Sequence, residues 1–246
     1  MLLQDRVALI TAGDCRVGRR VGSLLARHGA SLVLCGADQA QGIKMVRRLE
    51  EQGAKARFCL VDVSEASDVE MAIKDAISTF GRIDILCNNA SFGLIGNDAA
   101  VLDLTTESWE HIVELSLQGA FLFSQHALPF LSRSDQGSII NIVPYPRKGM
   151  HVVEGTCRGW MMAMTRDIAE GTKGVRVNLI WPHVAVSGAT LSTYQAALAN
   201  KVFRMPRRDK NAARAIARAA LYLACDQSSD VTGAMVIVDA DYPRWT

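Results

Sequence analysis

The chain has 246 residues, 49% of them hydrophobic and 21% charged, and its 27 Lys and Arg against 25 Asp and Glu leave a formal net charge of +2. That length buries a sizeable core, and a near-neutral balance with no basic run beyond pairs such as Arg207-Arg208 excludes the electrostatic footprint of a nucleic-acid-binding surface. No stretch reaches the roughly 18 apolar residues that span a bilayer, and MLLQDRVALI shows no cationic leader, so a cytoplasmic protein without membrane contact is expected.

In chain order, a first strand is expected over residues 6–10, then a Gly-containing loop and a helix. Val17, Val21, Leu24, Leu25 and His28 recur at helical spacing, and Gly29 ends the helix. A strand over 31–35, a helix over 39–51 and a strand over 56–61 follow. Val69, Ile73, Ala76, Ile77 and Phe80 mark another amphipathic helix before a strand over 83–87. Such alternation with short connections predicts a parallel, doubly wound sheet.

The second half opens with a long helix over 106–128 carrying Trp109, Ile112, Val113, Leu117 and Phe121. A strand over 138–143, a loop, a helix over 153–171 and a strand over 175–180 come next. Both strands are short, β-branched apolar runs bounded by Gly and Pro, as in a sheet covered on both faces. A loop region over 187–210, a helix over 212–225 and a strand over 235–238 close the chain. No linker or repeat interrupts this pattern, so a single α/β domain over residues 1–246 with a seven-stranded sheet is expected.

Six scattered cysteines without a Cys-x-x-Cys pair read as small buried hydrophobes, and the five histidines show no paired spacing, so no metal site is expected. The loop TAGDCRVG, residues 11–18, feeds a helix N-terminus, where small residues let backbone N–H groups and the helix dipole reach a phosphate. On spacing alone, a tight turn without a ligand reads as well.

Further landmarks accompany that loop: Asp62-Val63, Gly81-Arg82-Ile83-Asp84, Asn88-Asn89-Ala90, MTRDIAE over 164–170, VRVNLIWP over 175–182 and YLACDQSSDVTG from Tyr222. Together they resemble the short-chain dehydrogenase/reductase family over nearly the whole chain. The resemblance implies a Rossmann-like domain holding a nicotinamide dinucleotide. It places Thr11, Gly13, Arg16, Val17 and Gly18 at the phosphates, Asp62 and Val63 at the adenine, Asn89 and Ala90 in the family's cofactor-binding Asn-Asn-Ala-Gly run, and Pro182 and Ser187 near the carboxamide. Ala12 and Arg16 stand where the family has glycines.

An acid at the end of the second strand would bond the ribose 2′-hydroxyl of NAD and repel the 2′-phosphate of NADP. Gly36 stands there, Ala37 follows, and Asp38 is displaced by two residues. Arg16 resembles the loop arginine of pteridine reductases, which use NADPH. NADP(H) is therefore expected over NAD(H).

The register set by MTRDIAE and VRVNLIWP puts Glu154 at the family's catalytic Tyr, Arg158 at its Lys, Pro144 at or beside its Ser, and Ser116 at its helix Asn; Tyr145 is adjacent. A Glu with a reference pKa near 4.3 is ionised at neutral pH, Arg does not titrate, and Pro has no hydroxyl. Ordinary ketone or alcohol chemistry is not expected. Glu154 can stabilise a cationic iminium and Arg158 can grip a substrate carboxylate. The plainer reading is an i,i+4 surface ion pair worth about 0.2–0.5 kcal/mol. The expected function is an NADP(H)-dependent reductase of a small iminium or activated C=C substrate. A non-redox cyclisation or elimination, or a non-catalytic role, stays open. In relatives the helices over 106–128 and 153–171 build a four-helix interface, which implies a homodimer or homotetramer with Met161, Met162 and Met164 supplying contacts.

Overall fold

The computed structural model describes residues 1–89, 104–143, 152–183 and 209–239. Their centre is a sheet of seven parallel strands: β1 (Val7–Ile10), β2 (Ser31–Gly36), β3 (Ala56–Leu60), β4 (Ile85–Asn89), β5 (Gly137–Ile142), β6 (Val175–His183) and β7 (Met235–Asp239). The spatial order is β3-β2-β1-β4-β5-β6-β7, and every neighbouring pair is parallel. The helices are α1 (Arg16–Arg27), α2 (Gln39–Glu50), α3 (Ala66–Phe80), α4 (Thr106–Val113), α5 (Gly119–Leu131), α6 (Val152–Gly171) and α7 (Asp209–Ala224).

Period-two alternation along the strands divides the core into two layers. Ala8 and Ile10 of β1 face Val21 and Leu25 of α1, Met45 and Leu49 of α2, and Ile216 and Ala220 of α7. Val7 and Leu9 face the other way, toward Ile73 of α3 and Phe123 of α5. Burial on both faces explains why β1 and β4 are buried at every residue, while the edge strand β3 is only partly covered. The expected doubly wound architecture is the one observed.

Three elements depart from the expected bounds for identifiable reasons. β4 starts at Ile85 because Asp84, fully buried, serves as a junction: its carboxylate accepts from the Val7 N–H at 2.8 Å, the Ser134 hydroxyl at 2.6 Å and the Arg82 guanidinium at 2.7 Å. β4 also runs on through Asn88 and Asn89, poor strand formers whose side chains find buried partners. The single helix expected over 106–128 is α4, a π turn (Glu114–Gln118) and α5 reaching Leu131. A wider turn adds a residue without interrupting the apolar pattern, so periodicity does not reveal it. β6 extends to His183 because it gains β7 as a partner, with Trp181 opposite Ile237 and Pro182 opposite Val238.

Candidate active site at the carboxyl ends of the strands

The strand order turns between β1 and β4, and ligands of open α/β sheets bind outside the carboxyl ends of the strands at such a point. The loop leaving β1 is anchored to both neighbouring strands there. Thr11 N–H donates to the Cys87 carbonyl at 3.0 Å and Gly13 N–H to the Cys35 carbonyl at 2.8 Å. Asn89 closes the loop from the β4 side: its N–H donates to Thr11 Oγ1 at 2.9 Å and its Nδ2 to Cys15 Sγ at 3.1 Å.

Packing requires glycine at two positions of the loop. A Cβ on Gly13 would lie 2.9 Å from Leu34 Cβ, and one on Gly18 would lie 2.2 Å from the Ala12 carbonyl oxygen. Cys15 caps α1, its sulfur accepting from the Gly18 N–H at 3.4 Å. A short, glycine-tightened turn opening a twelve-residue helix fits a dinucleotide pyrophosphate, with Arg16 and Val17 in the first helical turn. Thr11, Gly13, Arg16, Val17, Gly18 and Asn89 are thus brought to one place. Ala90 lies outside the described residues.

Gly36 was expected to leave room for a 2′-phosphate, and in the structure a side chain from the neighbouring loop lies against it. The Asp14 side chain lies across Gly36, so that a Cβ there would fall 2.4 Å from Asp14 Cγ. Asp14 Oδ2 also accepts from the Asp38 N–H at 2.7 Å. Sequence reasoning missed Asp14; the only signal for it was an acid inside the loop itself.

The Asp62-Val63 loop leaves β3 at the same carboxyl end of the sheet. Asp62 Oδ1 accepts from the Ser64 hydroxyl at 2.6 Å and the Ser64 N–H at 3.0 Å, which holds its carboxyl below the ordinary range. A Cβ on Gly119 would lie 2.9 Å from Val63 Cβ, and Gln118 Nε2 donates to the Ser64 carbonyl at 2.9 Å. The loop is therefore seated against the π turn and the start of α5.

A buried polar chain joins the elements behind the reacting side. Asn88 Nδ2 donates to Ser124 Oγ at 3.0 Å and to Asn141 Oδ1 at 2.9 Å, and Asn141 Nδ2 donates to Thr165 Oγ1 at 2.8 Å. It ties β4, α5, β5 and α6 together and so fixes the helices that carry Ser116 and Arg158. Ser116 sits in the π turn at 2% exposure, and its hydroxyl has no hydrogen-bond partner among the described residues. α6 packs against this turn.

Arg158 stands on α6 with its guanidinium carbon 4.9 Å from the centroid of a Trp181 ring, a cation–π contact. Pro182 is buried in β6 beside it in sequence. Glu154 is one turn before Arg158 on α6, and its side chain lies outside the described residues, as do Pro144, Tyr145 and Ser187. Among the described residues no group of His, Cys, Asp and Glu is placed to hold a metal ion, and no helix is long and apolar enough to cross a membrane.

A family model described as enoyl-(acyl carrier protein) reductase matches residues 12–242. The chain is 31% identical over 250 residues to a peroxisomal 2,4-dienoyl-CoA reductase of Pongo abelii, covering 97% of this chain and 84% of that one. It is 26% identical to a 3-oxoacyl-[acyl-carrier-protein] reductase of Thermotoga maritima, covering 97% and 98% of the two chains. A crystal structure described as a short-chain dehydrogenase/reductase of Burkholderia xenovorans superposes with a TM-score of 0.75 at 27% identity, over 97% of this chain and 96% of that one. With the strand order, the anchored glycine loop and a family match spanning most of its length, the chain belongs to the short-chain dehydrogenase/reductase family.

Proposed function

We propose that the chain is a one-domain, dinucleotide-dependent reductase of a small substrate whose double bond is already polarised, a conjugated C=C in first place and an iminium in second. It is an atypical member whose proton-transfer positions have changed. The observation that carries this reading is Arg158, a permanently charged guanidinium held over Trp181 where the family pattern has a titrating Lys. The description of the matching family model as an enoyl reductase and the relative named for dienoyl-CoA reduction support a C=C substrate. The relative named for 3-oxoacyl reduction speaks for a ketone, but Glu154 and Arg158 stand at the family's proton-donating Tyr and its Lys, and Pro144 carries no hydroxyl where the family has Ser.

When bound, the dinucleotide supplies a hydride. Thr11, Gly13, Arg16, Val17 and Gly18 hold its pyrophosphate at the start of α1, Asp62 and Val63 flank the adenine, Asn89 and Ala90 support the loop, and Pro182 and Ser187 meet the carboxamide. Arg158 faces the carbonyl oxygen of a conjugated substrate, where negative charge grows as hydride reaches the β carbon; a fixed cation stabilises that charge, and the α carbon then takes its proton from solvent water. Ser116 and Tyr145 are the hydroxyls available to the substrate, and Glu154 orients Arg158 or balances a cationic substrate. Arg16 supports NADP(H), whereas the Asp14 carboxylate against Gly36 speaks for NAD(H).

A second copy of the chain covers the α5–α6 face in this reading. A groove of about 430 Å³ lies there between Phe121, Leu128, Trp160, Ala163, Met164 and Ile168. Met162 beside it is exposed and Met164 lines it, while Met161 is buried in the protein's own core. At the β7 edge of the sheet Met235 and Ile237 are exposed as well, and two separate apolar surfaces suit a homotetramer better than a homodimer.

The test is nicotinamide consumption with a conjugated enoyl thioester and with the 3-oxoacyl thioester of equal chain length. Turnover of the enoyl substrate alone, reduced about 10²-fold or more in Arg158→Met, is expected. Faster turnover of the 3-oxoacyl substrate would overturn the reading.

A further inference from the structure

We propose that Asp14 is the residue that selects the dinucleotide: reaching across from the β1–α1 loop, its carboxylate takes the place of the acid missing at the end of β2 and makes NAD(H) the preferred cofactor. The inference rests on the dinucleotide reading above and reverses the preference expected from Gly36 and Arg16.

The geometry is specific. An acid at the end of β2 would start from a Cβ on residue 36, and the Asp14 carboxyl lies on that spot, with Cγ 2.4 Å and the two oxygens 2.5 and 2.6 Å from where that Cβ would be. Gly36 is therefore not a vacancy left for a phosphate. It is the residue that lets a carboxylate from the neighbouring loop lie flat on the backbone of β2.

The carboxylate is also held in place. Oδ2 accepts from the Asp38 N–H at 2.7 Å, and the backbone of the same residue is tied down by Arg19, whose Nη1 donates to the Asp14 carbonyl at 2.8 Å. Oδ1 has no hydrogen-bond partner among the described residues and Asp14 is only partly buried, so this oxygen remains to accept from a ribose hydroxyl. A charge-assisted hydrogen bond of that kind favours NAD(H).

The surrounding charges decide the balance against a 2′-phosphate. A phosphate monoester brings about −1.5 to −2 charges at neutral pH. It would meet Asp14 and also Asp38, whose exposed carboxylate caps α2 by accepting from the Gln41 N–H at 3.0 Å. The cations within reach are Arg16 at the start of α1 and Arg19, the latter donating to the Asp14 carbonyl and to Gln41 Oε1. Two carboxylates thus stand at the end of β2, one lying on Gly36 and one two residues beyond it. Removing the Asp14 charge takes away the nearer of the two repulsions on a phosphate.

Titration of NADH and NADPH by nicotinamide fluorescence, with no substrate present, tests this on the wild type, Asp14→Asn and Gly36→Ala. The wild type is expected to bind NADH about tenfold or more tightly than NADPH. Asp14→Asn, which keeps the shape but not the charge, brings the two affinities to parity or inverts them. Gly36→Ala pushes the carboxylate off β2 and shifts the ratio the same way, whereas a purely structural role for Asp14 would weaken both dinucleotides alike. Tighter NADPH binding by the wild type, or an unchanged ratio in Asp14→Asn, overturns the inference and leaves the reductase reading intact. Binding of neither dinucleotide by the wild type overturns both.

Discussion

Ala12 sits at φ 44°, in the left-handed region where an L side chain costs about 1–2 kcal/mol and where the family pattern has glycine. Its carbonyl oxygen fills the space that any side chain on Gly18 would need. Gly18→Ala must therefore move backbone, and loss of dinucleotide binding with a drop of about 2 kcal/mol in unfolding free energy is expected by urea titration. Ala12→Gly should keep binding and raise stability by about 0.5 kcal/mol, because the gain at φ is partly offset by the freer unfolded chain. Asp62 gives a pH signature. Its folded pKa is depressed, chiefly by the Ser64 hydroxyl, so its contribution is present above the ordinary carboxylate value and lost as pH falls through the folded one. Acid unfolding of Asp62→Asn should show a shallower decline over that window; an identical acid limb would refute the assignment. Thr11, Gly18 and Asn89 came from the family resemblance, which fixes them along the chain, and the structure brings them together. Asp14 did not, since its contact with Gly36 joins the loop after β1 to the end of β2, which only the β1–β2 pairing brings together.

Among the elements, the π turn lies on the site side, and the Asp84 junction ties the opposite, amino end of the sheet together. Ser116 lies in that turn with a buried hydroxyl lacking a partner among the described residues, an arrangement that costs stability unless something else uses the group. Ser116→Ala should leave the melting temperature unchanged or higher while lowering turnover; a fall in stability with normal turnover would mark the serine as structural. Asp84 ties β1, β4 and the turn after α5 through its bonds to Val7, Arg82 and Ser134. Asp84→Ala should cost about 2–3 kcal/mol by chemical denaturation, since a buried N–H loses its acceptor. Apolar periodicity predicted the helices and strands well where one face meets the core. It missed the π turn because an added residue keeps the stripe continuous, and it ended β4 early because Asn88 and Asn89 owe their strand conformation to distant partners.

At the scale of the whole molecule, the parallel doubly wound sheet followed from alternating elements and short connections, which leave few ways to order the strands. What the sequence did not reveal was which apolar residues stay uncovered. Phe121 is 46% exposed on α5 and Ile237 is 60% exposed on β7, and each sits on a separate surface proposed to meet a second copy. Phe121→Glu should lower the mass found by light scattering, and a wild-type mass near 26.7 kDa would contradict the assembly. The central claim concerns the bond that is reduced, and isotope transfer reads it directly. After incubation with nicotinamide-deuterated cofactor and a conjugated enoyl thioester, mass spectrometry and NMR should place one deuterium on the carbon β to the carbonyl. An unlabelled enoyl thioester, together with deuterium on the carbinol carbon formed from a 3-oxoacyl thioester, would contradict it.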